Sequence, residues 1–368
     1  MADVIVIGGG IAGISAAAEL ARGGAEVVVL EAEPQIGYHA TGRSAAIFIR
    51  NYGNATLRAL NAVAEPIFET PGEISEKPLL SPRGELMVAS EEELPMLDAY
   101  LDGSTGIDRL TGKEATEIVP ILRADRIAGA MIERNARGID VDLLLQGYAR
   151  MLRARGGRIM TGAAVTRMTH TAGLWQVETA QGNHAAPIVV NAAGGWADVV
   201  ATLAGLPRAG LQPYRRSAAI IPAPEGHDTE HWPIFGSIAE TWYAKPEAGK
   251  LMVSPADEDP VDPHDAWADD MVLAEGLYRF EQAVSVPVTR VEHSWAGLRT
   301  FAPDRTPVVG FDPQAEGFFW LAGQGGYGVQ TAPALSRLTA ALIAGGKPDV
   351  SDAVLAAMAP GRFVSAAQ

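Results

Sequence analysis

The first thirty-one residues constrain this chain more than any other part. Residues 3–7 form a short β-branched run, followed by Gly8-Gly9-Gly10-Ile11-Ala12-Gly13. Residues 11–22 then carry apolar side chains at helical spacing, Gly23-Gly24 ends them, and a second apolar run at 25–30 closes at Glu31. A β-branched run of this length reads as a buried parallel strand, and the switch from strand to helical spacing and back is that of a βαβ unit.

The glycines fit G-x-G-x-x-G in the setting that gives this pattern meaning: directly after a strand, opening a helix, with an acidic residue about twenty positions on. Gly8 permits the tight turn, Gly10 lets the backbone approach a pyrophosphate, and Gly13 lets helix and strand pack closely. Ile11 and Ala12 open the helix, whose unpaired N–H groups and partial positive charge suit an anion. Glu31 would accept hydrogen bonds from ribose hydroxyls and disfavours a 2′-phosphate, which argues against NADP.

The 368 residues suit one large or two interleaved domains. A net charge of −15 argues against nucleic acid and anionic membrane surfaces as partners. The chain has no cysteine, which excludes disulfides, thiolate metal sites, cysteine nucleophiles and cysteine-linked cofactors. The apolar N-terminus lacks the basic start of a signal peptide, and no uninterrupted apolar run reaches the length of a transmembrane segment. A cytoplasmic protein is expected.

Beyond Glu31 the chain does not continue in regular βα units. It enters TGRSAAIFIRNYGN (41–54), neither a clean helix nor a clean strand, and then a helix expected over 55–68 with Asn54 as N-cap. Helices are also expected at 91–101, 111–118, 142–155, 271–284 and 331–343. Strands are expected at 86–89, 158–160, 164–169, 175–179, 187–192, 215–221, 240–244, 250–253 and 317–322. The nucleotide-type pattern returns at 188–194, including Gly194, and again at 323–328. The expected fold class is α/β: a Rossmann-like nucleotide-binding domain of discontinuous segments (1–84, 139–206, 300–368) plus an α+β substrate-binding domain with a mostly antiparallel sheet (85–138, 207–299).

Some signals carry little. His227-Asp228-Thr229-Glu230-His231 spells a zinc-peptidase pattern but sits among prolines and glycine, so no metal is expected. No G-x-S-x-G elbow occurs. His39 is read as a hydrogen-bonding residue, with any cofactor held non-covalently.

Taken together, the glycine fingerprint, GYHATGRSAA, VVNAAGGWAD, HSWAGLRTFAPDRTPVVG and FFWLAGQGGYGVQTAPAL resemble the D-amino-acid-oxidase superfamily of FAD-dependent oxidoreductases over nearly the whole chain. Within it the resemblance is nearest to the bacterial D-arginine dehydrogenases. It implies FAD in an extended pose over Gly8, Gly10, Gly13 and Glu31. Arg43, Ser44 and Ala46 would lie along the cofactor, Val165 would touch the adenine region, and Gly325, Gly326, Tyr327, Gly328 and Val329 would pass beside the flavin. A helix beginning near Gln330-Thr331 would aim its N-terminus at the pyrimidine edge, where a reduced flavin carries negative charge.

The same resemblance implies Arg216 and Arg299 as carboxylate anchors, suited to bidentate grip. Tyr52 and Tyr243 would assist, and the Gly326 carbonyl would receive the substrate amine. Arg215 and Arg216 are adjacent, so on a strand only one can face the site; the resemblance selects Arg216. Glu85 would meet a cationic substrate side chain. Ile47 stands where the arginine enzyme has a histidine, and Arg50 where it has no arginine, so both are expected to bear on the side-chain pocket. The implied reaction is oxidative deamination of a basic or hydrophobic D-amino acid: hydride passes from Cα to flavin N5, and the imino acid hydrolyses to a 2-oxo acid and ammonia. The electron acceptor would be a quinone, a dye-like acceptor or oxygen. Two other readings are an oxidase of glycine or secondary amines using oxygen and a non-catalytic flavin-binding protein. The absence of lysine from the flavin-proximal motifs, with Lys245 as the nearest candidate, leans toward a dehydrogenase.

Overall fold

The structure is a computed structural model and describes residues 2–366. A six-stranded sheet forms its centre, with strands in the order Val308–Phe311, Phe318–Ala322, Ile188–Asn191, Val4–Ile7, Val27–Leu30 and Arg158–Met160. All neighbours are parallel except the first pair. The parallel strands are short and buried on both faces, as their unbroken Val/Ile runs require.

One face is covered by helix Ile11–Arg22, which packs against helices Val141–Ala154 and Gly328–Ile343; the latter also meets helix Ala55–Glu69. Ile14, Leu60, Leu144, Tyr148 and Leu335 fill this layer. Full burial of one such aliphatic side chain is worth roughly 1.5–3 kcal/mol. The opposite face packs Trp175, Phe318 and Trp320 beneath helix Ala197–Leu203 and a small antiparallel sheet, Val165–Thr171, Leu174–Thr179 and Gly182–Ala186.

A second, nine-stranded sheet is mostly antiparallel, with one parallel pair between Ile234–Ser237 and Glu85–Ala89. Its long strand Gln212–Pro222 pairs with His293–Phe301, a strand that crosses the boundary expected at 299/300. A three-stranded sheet of Ile47–Phe48, Arg137–Ile139 and Leu80–Pro82 ties residues expected in different domains to one another. The fold is therefore α/β with mixed sheets.

Three local differences bear on the site. The last long helix begins at Gly328, three residues before the expected start, because the Thr331 N–H already bonds the Tyr327 carbonyl at 3.0 Å. The strand expected at 240–244 is Tyr243–Glu247; residues 237–242 instead form a tight turn in which Glu240 has φ +52°. The zinc-peptidase-like stretch lies between strands Gln212–Pro222 and Ile234–Ser237, outside any helix.

Candidate functional site

The nucleotide end is built from backbone. Gly8 has φ +113°, and a Cβ there would run into the Ala192 carbonyl; a Cβ on Gly13 would strike the Gly8 carbonyl. Helix Ile11–Arg22 has Gly10 as N-cap and no side-chain cap of its own. Thr41 supplies one from thirty residues away, its Oγ1 accepting from Ile11 N at 3.0 Å. Glu31 Oε2 accepts from Gly9 N at 2.5 Å and Oε1 from Glu33 N at 2.8 Å. A Cβ on Gly9 would meet that carboxylate at 2.7 Å, so the middle glycine holds Glu31 in place. Neither Gly9 nor Thr41 carries a sequence signal for these roles.

These groups open onto a cavity of about 390 Å³ whose lining gathers Gly8, Gly10, Ile11, Ala12, Glu31, Val165, Gly194, Gly325 and Gly328, with Tyr38, His39 and Trp196. The same space continues into a cavity of about 90 Å³ lined by Thr41, Arg43, Ser44, Arg216, Tyr243, Arg299, Gly326, Gly328 and Val329. His39 Nε2 lies 2.9 Å from Glu33 Oε1, and its ring lies 4.6 Å from that of Trp196. Of the expected cofactor residues, Ala46 and Gln330 line only a third cavity, described below, while Gly13, Tyr327 and Thr331 line none of the three. Thr331 is fully buried one turn inside its helix, its hydroxyl donating to the Tyr327 carbonyl at 2.8 Å. Tyr327 packs its ring against Tyr52 at 4.7 Å, on the substrate side.

A third cavity of about 100 Å³ shares Ser44, Arg216, Tyr243, Arg299, Gly326 and Val329 with the second and adds Ala46, Ile47, Tyr52, Glu85 and Gln330. Met87, Ile234, Trp242 and Glu240, none of them singled out from sequence, line it too, with Ala45 and Ile49. Arg299 has no hydrogen-bond or acidic partner among the described residues. Burial opposes its charge, but Tyr52, Tyr243 and Glu240 around it outweigh that and hold its pKa above the usual arginine value. Gly326 packs so closely that a Cβ would sit 3.1 Å from the guanidinium. Arg216 is partly engaged, its Nε donating to the Asp257 carbonyl at 2.8 Å, while neighbouring Arg215 turns away to Asp257 and Asp259.

Tyr52 is fixed through its backbone. Asn61, fully buried on helix Ala55–Glu69, donates to the carbonyls of Ile49, Arg50 and Tyr52 at 3.2–3.3 Å. Gln330 accepts from Ile49 N at 3.2 Å and donates to Asn61 Oδ1 at 2.9 Å. Burial, and then Glu240, raise the Tyr52 pKa, keeping the phenol a donor.

Glu85 lies at the far wall, opposite Glu133 on the adjacent strand. Burial first, then Glu133 and Glu240, push its carboxyl up to about 8, and among the described residues only the Tyr100 O–H reaches it, at 3.5 Å. Arg50 does not share this pocket. Its side chain binds Glu65 on helix Ala55–Glu69 through Nε at 2.9 Å and through Nη2, and only its backbone N–H points inward, to Glu133 at 3.0 Å. A turn at Arg50-Asn51 separates its direction from that of Tyr52. Lys245 donates from Nζ to the carbonyl of Ala45 at 2.9 Å, reaching a residue shared by the second and third cavities.

The family described as DAO, FAD dependent oxidoreductase, matches residues 3–342. The chain belongs to it. FAD is accordingly its cofactor, and the glycine cradle, the helix N-terminus and Glu31 suit the pyrophosphate and ribose of such a group. Among curated proteins, the chain is 25% identical to FAD-dependent oxidoreductase domain-containing protein 1 of Bos taurus, over 93% of this chain and 81% of that protein. Among solved structures, L-proline dehydrogenase from P. horikoshii superposes with a TM-score of 0.87 at 23% identity, covering 99% of this chain and 98% of the other. Glycine oxidase from Geobacillus kaustophilus gives 0.85 at 23% identity, with 98% of both chains covered. These two likenesses establish the fold. No helix among the described residues is long and apolar enough to cross a membrane.

Proposed function

We propose that this family member oxidises a D-amino acid at its amine-bearing carbon. The observation that carries this reading is Arg299: a guanidinium that makes no hydrogen bond or ion pair among the described residues, facing a small cavity that Glu240 also lines and that adjoins the flavin-side space. A charge held in that state is matched by a ligand carboxylate.

FAD, when bound, supplies the acceptor for the hydride lost from Cα, and the imino acid hydrolyses to a 2-oxo acid and ammonia. The chain's part is to capture and orient. Arg299 grips the carboxylate in bidentate fashion, Arg216 adds a second positive charge, and the Tyr52 and Tyr243 hydroxyls donate to the same group. The Gly326 carbonyl accepts from the substrate amine. The side chain extends toward Ile47, Met87 and Ile234, with Glu85 at the end. That wall is mostly apolar, and a carboxyl with a pKa of about 8 is largely neutral at pH 7. This favours an uncharged substrate side chain and admits a basic one, as in the D-arginine dehydrogenases the sequence resembles, when Glu85 ionises on binding.

A second reading has its own support. A cavity of about 100 Å³ also fits glycine or an N-alkyl amine, and glycine oxidase and L-proline dehydrogenase are among the structural neighbours. Lys245 at the Ala45 carbonyl places a cation near the flavin-side space, which bears on whether oxygen or another acceptor takes the electrons. Anaerobic bleaching of the flavin absorbance against D- and L-amino acids, glycine and N-methyl amines separates the two. D-amino acids should bleach fastest; bleaching by N-methyl amines alone would replace the first reading with the second.

A further inference from the structure

Residues 36–45 run from the nucleotide cavity to the flavin-side cavity with only one 3₁₀ turn, Thr41–Arg43, to stiffen them. They are held from outside by residues 261–269, which lead from the edge strand Asp259–Pro260 of the second sheet to helix Asp270–Ala283. Asp265 is the centre of this hold. Its carboxylate accepts from Arg43 Nη2 at 2.5 Å and from the Tyr38 hydroxyl at 3.2 Å, and lies 3.9 Å from His39 Nδ1. Arg43 Nη1 donates to the carbonyls of Ala266 and Ala296 at 2.8 and 3.0 Å. Beneath these bonds, Ala266 packs with Ala296, Leu298 and Trp196 in a small core of its own.

We propose that Asp265 is a positioning residue for the cofactor, fastening residues 36–45 across it so that FAD leaves only when this clasp opens. The proposal rests on FAD occupying the cavities described above. Tyr38 and His39 face the nucleotide space and Arg43 the flavin side, so one carboxylate restrains both ends of the segment. Asp265 is itself 57% exposed. An exposed ion pair adds little to global stability, and losing it should leave the fold intact. Its effect belongs instead to a local opening, because each bond it makes joins two stretches more than 220 residues apart in sequence.

The test measures FAD release from purified holoenzyme, read as the rise of free-flavin fluorescence after high dilution. Asp265→Asn should release FAD about tenfold faster, the scale of losing a charge-assisted network, while the unfolding midpoint of the apoprotein stays at the wild-type value. Tyr38→Phe should give a smaller acceleration, and Asp265→Glu should restore most of the wild-type rate. Asp262→Asn, a neighbouring charge without these contacts, should change nothing. An unchanged release rate in Asp265→Asn would overturn the proposal, as would an equal acceleration in Asp262→Asn or a fall in apoprotein stability that accounts for the faster release. A preparation lacking a flavin spectrum altogether would instead remove the FAD reading on which the proposal rests.

Discussion

The two ends of the site are made in opposite ways. At the nucleotide end the ligand surface is largely backbone: Gly8 and Gly13 are defined by the side chains they lack, and the Glu31 carboxylate is oriented by the N–H groups of Gly9 and Glu33. At the substrate end the surface is side chain: Tyr52, Glu85, Arg216, Tyr243 and Arg299 arrive from separate strands and a loop. The first construction is sensitive to added atoms, and the second to removed ones.

That contrast sets the expected effects. Arg299→Ala should have the largest, lowering kcat/KM for every carboxylate substrate by about a thousandfold, the cost of deleting the partner of a buried charge. Steady-state kinetics with alanine-like and arginine-like substrates should fall together, and a loss confined to one class would make the anchor selective instead. Gly9→Ala makes the opposite change. Adding one methyl against Glu31 should weaken FAD binding about tenfold, read by flavin titration of apoprotein, with little effect on KM once the cofactor is saturating. Asn61→Ala should cost roughly tenfold in kcat/KM by loosening the Tyr52 backbone while leaving FAD affinity unchanged; a parallel loss of FAD would blur the division between the two ends.

A smaller effect is expected from pH. Because Glu85 takes up its proton more readily in the folded state, KM for a cationic substrate should fall as pH rises through about 8, while that for a neutral one should not. The same shift means that Glu85 costs stability progressively as pH rises from the ordinary glutamate range to about 8. Thermal melts of Glu85→Gln should therefore exceed wild type above pH 8 and converge with it in acid. The smallest effect belongs to Arg50→Ala, which should leave kinetics on cationic and neutral substrates alike unchanged, since its guanidinium is held by Glu65.

The same contrast explains what could be read from sequence. Backbone surfaces are local: strand, glycines, helix and Glu31 lie within about thirty residues, and their spacing is their geometry. Side-chain surfaces are assembled by topology. No periodicity relates Tyr52 to Arg299, and only resemblance to a family placed them together. Arg50 illustrates the limit. Comparison with the arginine enzymes points it at the side-chain pocket, but one turn sends its side chain to Glu65 instead. Asn61 left no signal either, because a fully buried asparagine on an amphipathic helix looks like an exposed one until its partners are known. Thr41 was equally hidden, capping from a loop a helix that starts thirty residues before it.

That Arg299 makes no ion pair among the described residues has a consequence for turnover. If the substrate is an amino acid, its carboxylate is untouched by the reaction, so the 2-oxo acid carries away the same handle by which the substrate was caught. The grip cannot tell one from the other. Release must then work against the attraction that made capture efficient, and simple unreactive carboxylates should compete with substrate in proportion to how well they fill the space between Arg299 and Glu85.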